Sequence, residues 1–302
     1  MKEEVTLVTE FFDIGRKDFN LNPRSNEKYL EYFKFWARIK NKLIVYTYKA
    51  MADEVRKIRE EFGLLDRTIV IEIDDETKLE PEIYKNIEKI AENNYIKDYR
   101  YYYQAVENNA KYNYVMLLKY WCLADAVKKK YADGMVAWID FGFNHGNDCY
   151  INSEEFDFLW ETELSMDKIH LFALDTKLTE EPVFELVRNM DVDIMGDCIL
   201  APANFCEKFW ESVKVQMESL VRVGFIDDDQ ILLLMSYREI PEIYEMHKSD
   251  WFMPLKENGG SHLTVKEKVQ SKPSLKNRIL EYLRNKKRYL MYLKREKKYF
   301  RT

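Results

Sequence analysis

The sequence predicts an α/β protein: a single domain with a mixed, mostly parallel sheet flanked by helices, followed by a basic amphipathic helix. Three observations carry that reading. Residues 5–75 alternate strand, helix, strand, helix, strand. The apolar run from Met135 to Ile139 reads as a buried strand that stops on Asp140, with Gly142 two positions on. From Lys276 to Thr302 there are eleven Lys/Arg against two Glu.

Val5–Thr9 is β-branched and alternating, hence a first strand. Residues 25–40 place Tyr29, Tyr32, Phe33, Trp36 and Ile39 at helical spacing. Residues 42–47 read as a second strand, residues 51–62 as an amphipathic helix stopped by Gly63, and residues 68–73 as a third strand. Residues 83–130 are mostly helical and rich in tyrosine. Their clearest piece, 111–130, aligns Val115, Leu118, Cys122 and Ala126. Strands follow at 135–139 and 168–173, and another within 192–200 with Gly196 inside it. Pro202 opens a helix through Leu220, since proline is tolerated in a first turn. Residues 227–236 form a helix with an acidic start, residues 258–261 a loop, and residues 274–299 the basic helix. If the strands at 5–9, 135–139 and 192–200 run parallel, Glu10, Asp13, Asp140 and Asp197 share one edge of the sheet. Residues 1–265 read as the catalytic body and 266–302 as the tail.

Composition narrows the function. The chain has 302 residues, 46% hydrophobic and 33% charged, which is ordinary for a folded protein. Nine glycines, with no GxGxxG and no GxxxxGK[ST], argue against a Gly-rich nucleotide cradle. The net charge of −6 divides into +9 on the tail and −15 on residues 1–275. So acidic a body does not suit nucleic acid. Four cysteines without CxxC spacing read as thiols in a reducing compartment. The start shows no secretory leader, and no apolar stretch is long enough to span a bilayer. The expected location is cytoplasmic, either free or peripheral on the inner face of the membrane.

The chemistry is expected at a few places. Asp140, with Gly142 close by, would hold a divalent cation against a phosphate, or would cap a turn. Asn144 and His145 offer further donors there; oxygen ligands suit Mg²⁺, and histidine suits Mn²⁺ better. The string Asp140-Phe141-Gly142 matches the kinase metal triplet, but no Gly-rich loop or HRD accompanies it. Asp227-Asp228-Asp229-Gln230 is either an N-cap cluster or a ligand site. In the second case Asp228 or Asp229 acts as a base or a transition-state stabiliser, and Asp229 with Gln230 meets sugar hydroxyls. The turn from Thr9 to Arg16 brings Phe11 for a base to stack on, Asp13, and Arg16 for a phosphate, or is a plain surface turn. Lys119 lies on the helix before the Asp140 strand and is a phosphate-site cation or a solvated lysine. His247 and His262 are lone histidines late in the chain. A basic helix with aromatic residues suits an anionic membrane, at about 1 kcal/mol per basic residue, or packs on the acidic body.

The segments Val8 to Arg16, Trp138 to Gly142, Ile226 to Gln230, and Trp251-Phe252 resemble the bacterial HtrL/YibB family, across nearly all of the chain up to about residue 255. That family is similar to GT-A glycosyltransferases of surface-polysaccharide synthesis. The resemblance implies a nucleotide-sugar donor, most readily a UDP-sugar, a glycan or lipid-linked acceptor, and Mn²⁺ or Mg²⁺. It gives Thr9, Phe11, Asp13, Arg16, Lys119, Asp140 and Gly142 to the donor, and Asp228, Asp229 and Gln230 to catalysis. In such enzymes a strand-end Asp-x-Asp holds the metal. Here Gly142 stands at the second position, so either Asn144, His145 or His247 supplies the lost ligand or the enzyme works without a metal. A late His followed by Trp, as in His247 and Trp251, is similar to a related GT-A group. The other expectations are a metal-dependent phosphohydrolase or nucleotidyltransferase, and a non-catalytic binding protein that has lost its second metal ligand.

Overall fold

A computed structural model of the chain describes residues 2–19, 23–101, 105–145, 148–175 and 180–266, and scattered positions between 279 and 297. Strands β1 (Glu3–Phe11), β2 (Leu43–Thr47) and β3 (Thr68–Glu72) alternate with helices α1 (Asn26–Trp36) and α2 (Lys49–Glu61). Helices α3 (Pro81–Ala91), α4 (Asn94–Tyr99) and α5 (Ala110–Lys128) lead to β4 (Met135–Ile139). Then come β5 (Glu161–Thr162), β6 (Ile169–Ala173), α6 (Val183–Asn189), β7 (Ile194–Pro202), α7 (Ala203–Arg222), α8 (Asp229–Glu239), β8 (Tyr244–Lys248) and the short α9 (Pro254–Glu257).

The sheet runs in the order β3-β2-β1-β4-β7-β6-β8, and β5 pairs antiparallel with the start of β1. Strands β1 to β4 are mutually parallel, whereas β7 runs antiparallel to both its neighbours. Alternation along β1 and β4 sends Val8, Val136 and Trp138 to one core and Leu7, Ala137 and Ile139 to the other. Helices α3, α5, α7 and α8 supply the first core; α1 and α2 supply the second. With both faces covered, β4 is buried at all five positions, which is why it reads as one apolar run.

The orientation of β7 corrects one expectation. This strand is not parallel to β4, yet Asp197 still meets Asp140, because it lies near the start of β7 and the ladder continues past Ile139. The Asp140 amide donates to the Asp197 carbonyl at 3.0 Å. β8 was not anticipated: Glu245 and Lys248 point to solvent, and the strand lies at the sheet edge. In the tail, the described positions are helical, and Ile279, Tyr282, Leu283 and Leu290 are exposed. Leu275 and much of the expected basic helix lie outside the described residues.

Candidate functional site

A cavity of about 260 Å³ opens at the carboxyl ends of β1 and β4. That is where an α/β sheet leaves room for a ligand. Its wall includes Phe11, Asp13, Arg16, Lys119, Asp140, Gly142, Asp229 and Gln230, so four separate stretches of sequence meet there.

Asp140 is oriented from its own strand. Trp138, two residues earlier and on the same face, donates its indole N–H to Oδ1 at 2.8 Å. Lys119 reaches in from α5. Its Nζ lies 2.9 Å from Asp140 Oδ1 and 2.6 Å from Asp229 Oδ2, and donates to the Gly196 carbonyl at 3.1 Å. Burial opposes the ammonium, but the Asp140 and Asp229 charges outweigh it and raise the Lys119 pKa. Burial raises Asp229 in turn, and Lys119 pulls it back. Gly196 is needed for this approach: a Cβ there would fall 1.9 Å from Asp229 Oδ2.

The aspartate triplet splits into three tasks. Asp227 pairs with buried Arg100 at 2.9 Å, and Arg100 also donates to the carbonyls of Val187 and Ile226. Asp228 caps α8 by accepting from the Gln230 amide at 3.3 Å. Asp229 alone of the three faces the cavity. Asp228 is buried and off the cavity wall, which corrects its placement at the reacting centre.

The β1 turn is also specific. Asp13 accepts from the Gly15 amide at 2.8 Å and from Asn26 Nδ2 at 2.9 Å. Those bonds outweigh its partial burial and lower its pKa. Gly15 adopts φ 72°, a left-handed conformation that glycine accepts freely. Phe11 packs on Tyr29 and Phe141, with ring centroids 5.0 and 4.9 Å apart. Gly142 lets Tyr29 lie close: a Cβ there would meet the Tyr29 ring at 3.0 Å. The Arg16 guanidinium sits over Tyr112, 5.7 Å from the ring centre. Thr9, expected at the cavity, is fully buried and does not line it.

Two expected metal ligands are elsewhere. Asn144 is buried with φ 63°; its Oδ1 accepts from the amides of Cys149 and Tyr150, and its Nδ2 donates to the Tyr150 carbonyl. Its amide is spent on the loop. His247 lies on β8 against His170, not on the cavity wall, with the facing nitrogens 2.9 Å apart. Burial lowers the pKa of both rings. His145 does line the cavity, 3.2 Å from Arg24 Nη1. Burial and then Arg24 push it down to about 4, so the ring is neutral near pH 7. His262 sits beside Phe158 and bonds the Glu155 carbonyl.

Asp197 is the residue whose weight the sequence understated. It is buried beside Asp140; Oδ2 accepts from the Phe252 amide at 2.9 Å, and Oδ1 is buried with no hydrogen-bond partner. Burial, then the Asp140 charge, pushes its pKa up to about 7. Its signal was a Gly196-Asp197 pair inside an otherwise apolar strand. Tyr29 and Arg24 gave no such signal, because their approach depends on how α1 docks.

Residues 3–256 match the family described as bacterial protein of unknown function (HtrL_YibB). The chain belongs to the HtrL/YibB family. Every residue on the cavity wall falls inside the HtrL/YibB match, and the basic tail falls outside it. Protein HtrL of Escherichia coli strain K12 is 27% identical over 270 residues, covering 83% of this chain and 91% of that protein. Among solved structures, the apo form of mouse xyloside xylosyltransferase 1 is similar at TM-score 0.43 and 12% identity, over 82% of this chain and 85% of that one. No helix among the described residues is long and apolar enough to cross a membrane.

Proposed function

We propose that this chain is a glycosyltransferase that moves a sugar from a nucleotide-diphosphate sugar, most readily a UDP-sugar, to a glycan or lipid-linked acceptor. The observation that carries the reading is the meeting of Phe11, Arg16, Asp140 and Asp229 around one strand-end cavity. Phe11 and Tyr29 supply an aromatic wall for the base. Arg16 and Arg24 supply charge for the phosphates. Asp229 and Gln230 serve the sugar side.

The cavity wall has five carboxyl groups (Glu10, Asp13, Asp140, Asp197 and Asp229) against Arg16, Arg24 and Lys119. Lys119 is already held between two of those carboxylates. That trio has two carboxylates to one ammonium, so a diphosphate at the Asp140 wall would be repelled unless a divalent cation lay between. The side chains present fit one. Asp140 stands at the strand end, and the unpartnered Oδ1 of Asp197 is beside it. Two carboxylates on neighbouring strands would replace an Asp-x-Asp on one strand, a hard-oxygen set suited to Mg²⁺ or Mn²⁺. When bound, such a cation stabilises charge on the departing nucleoside diphosphate. In this reading residues 1–265 form the catalytic body. The tail, with its exposed apolar positions, holds the protein reversibly at an anionic inner membrane.

The test is thermal unfolding with UDP, GDP, CDP, ADP and their sugars, with and without Mn²⁺. Ligand at a hundred times its dissociation constant adds about 2.7 kcal/mol of stability. The expected result is a shift with one nucleotide that needs metal and vanishes in a folded Asp140→Ala protein, together with loss of sugar transfer. Wild-type turnover in Asp140→Ala would overturn the proposal. Cleavage of the nucleotide with no sugar acceptor would favour a phosphohydrolase, and no nucleotide shift at all a binding protein.

A further inference from the structure

At the far edge of the sheet, β6 and β8 pair in parallel with His170 opposite Glu245 and Phe172 opposite His247. Strand periodicity puts these side chains on one face. The result is a compact group: His170 Nδ1 lies 2.9 Å from His247 Nε2 and 3.5 Å from Glu245 Oε2. The ligand atoms of the three residues are all within 4.8 Å of one another. Among the described residues this is the one group of three or more His, Cys, Asp or Glu so arranged.

We propose that His170, Glu245 and His247 form a binding site for a divalent transition cation of the zinc type, separate from the Asp140 cavity. The second observation is on the other side of His170. Its Nε2 lies 2.8 Å from the Ser165 carbonyl, which can only accept, so Nε2 carries the proton. That leaves the Nδ1 lone pair aimed at His247 and Glu245. A backbone carbonyl fixing the tautomer in this way is the usual support of a metal-bound histidine. Two nitrogens at Zn–N distances of about 2.0–2.1 Å on a tetrahedral ion stand about 3.3 Å apart. The pair seen at 2.9 Å needs to open by only a few tenths of an ångström. Two imidazoles and one carboxylate favour zinc-like ions over Mg²⁺ or Ca²⁺, which prefer all-oxygen sets. His170 is buried while Glu245 is exposed, so the ion would enter from the Glu245 side.

The site would also be connected to the cavity. Four residues after His247, Trp251 lines the cavity wall, and the Phe252 amide holds Asp197. An ion clamping β8 to β6 would fix the strand from which both residues extend.

The experiment uses the full chain without an affinity tag, stripped of metal, titrated with Zn²⁺ against a chromophoric chelator and with Co²⁺ by visible absorption. One ion per chain is expected. His247→Gln should weaken it by more than the roughly 10–100-fold that losing an outer partner costs. Glu245→Gln should weaken it less, and Asp140→Ala should leave it unchanged. His170→Gln is a second variant, interpreted only if its melting transition is retained; His247 is half-buried on an edge strand, which keeps the test decisive. Equal Zn²⁺ affinity in wild type and a folded His247→Gln protein would overturn the site. So would loss of the ion in Asp140→Ala, which would assign it to the cavity. The inference does not rest on sugar transfer, since its readout is metal affinity alone.

Discussion

The molecule carries two clusters of titratable side chains built on opposite plans. Around β4 and α8, carboxylates are offset by one buried ammonium: Lys119 lies between Asp140 and Asp229. At the β6–β8 edge, two imidazoles that burial keeps neutral face each other, and the one carboxylate is exposed. A neutral pair can sit at an edge and lose a member cheaply. A charged trio can be buried only while all its members are present, because removing one leaves an unpaired charge in a poor solvent.

Breaking both clusters tests that contrast most directly. Lys119→Met should cost about 3–5 kcal/mol, since Asp229 is left buried and uncompensated. His247→Gln should cost only about 1 kcal/mol, the usual value of a single hydrogen bond. Urea unfolding of the two variants checks this. Equal losses would mean that the central ammonium is no more structural than the edge pair. Adding Asp229→Asn to Lys119→Met should recover part of the loss, because the orphaned charge goes with it.

A gentler change sharpens the same point. Gly196→Ala places a methyl group where the Asp229 carboxylate lies, 1.9 Å from Oδ2. The backbone or Asp229 must move, at about 1–3 kcal/mol for overpacking. The Lys119–Asp229 contact should lengthen, so the variant should lose nucleotide-induced stabilisation in addition to its own stability. A protein of full stability and unchanged nucleotide response would show that this close approach is not required.

How much of this the sequence revealed follows from which interactions are local. Asp140 was legible because a strand that is apolar at five positions and then acidic says where the sheet ends. The first three strands and two helices were legible for a similar reason, since each carries its own period. Asp229 was legible only as one of three adjacent acids. Which of them faces the cavity depends on Arg100, more than a hundred residues earlier, taking Asp227 and leaving Asp228 to cap α8. The direction of β7 was not legible, because the period of a buried strand is the same whichever way it runs. Asn144 failed as a ligand for a comparable reason: its left-handed backbone and three loop hydrogen bonds are invisible in a run of Phe, Asn and His. His247 failed through distance, since only the sheet order puts β8 beside β6 and away from β4.

The smallest expected effect is one of slope. Glu10 lines the cavity, buried, with Oε1 lacking a partner and Oε2 3.5 Å from Cys122 Sγ. Burial pushes its pKa well up, and Lys119 and Cys122 only partly offset this. A carboxyl whose folded pKa lies above its unfolded value binds its proton more tightly in the folded state. Its contribution to stability is therefore fully present below the unfolded value of about 4.3, and is lost as pH rises through the folded pKa. Glu10→Gln keeps the shape and removes the ionisation. The variant should match wild type in acid and exceed it increasingly as pH rises, in urea unfolding run from pH 4 to pH 9. A difference that stays constant across that range would mean that Glu10 keeps its charge in the folded protein. In that case Lys119 would be balancing three carboxylates rather than two, and the two clusters would differ still more in how much charge they bury.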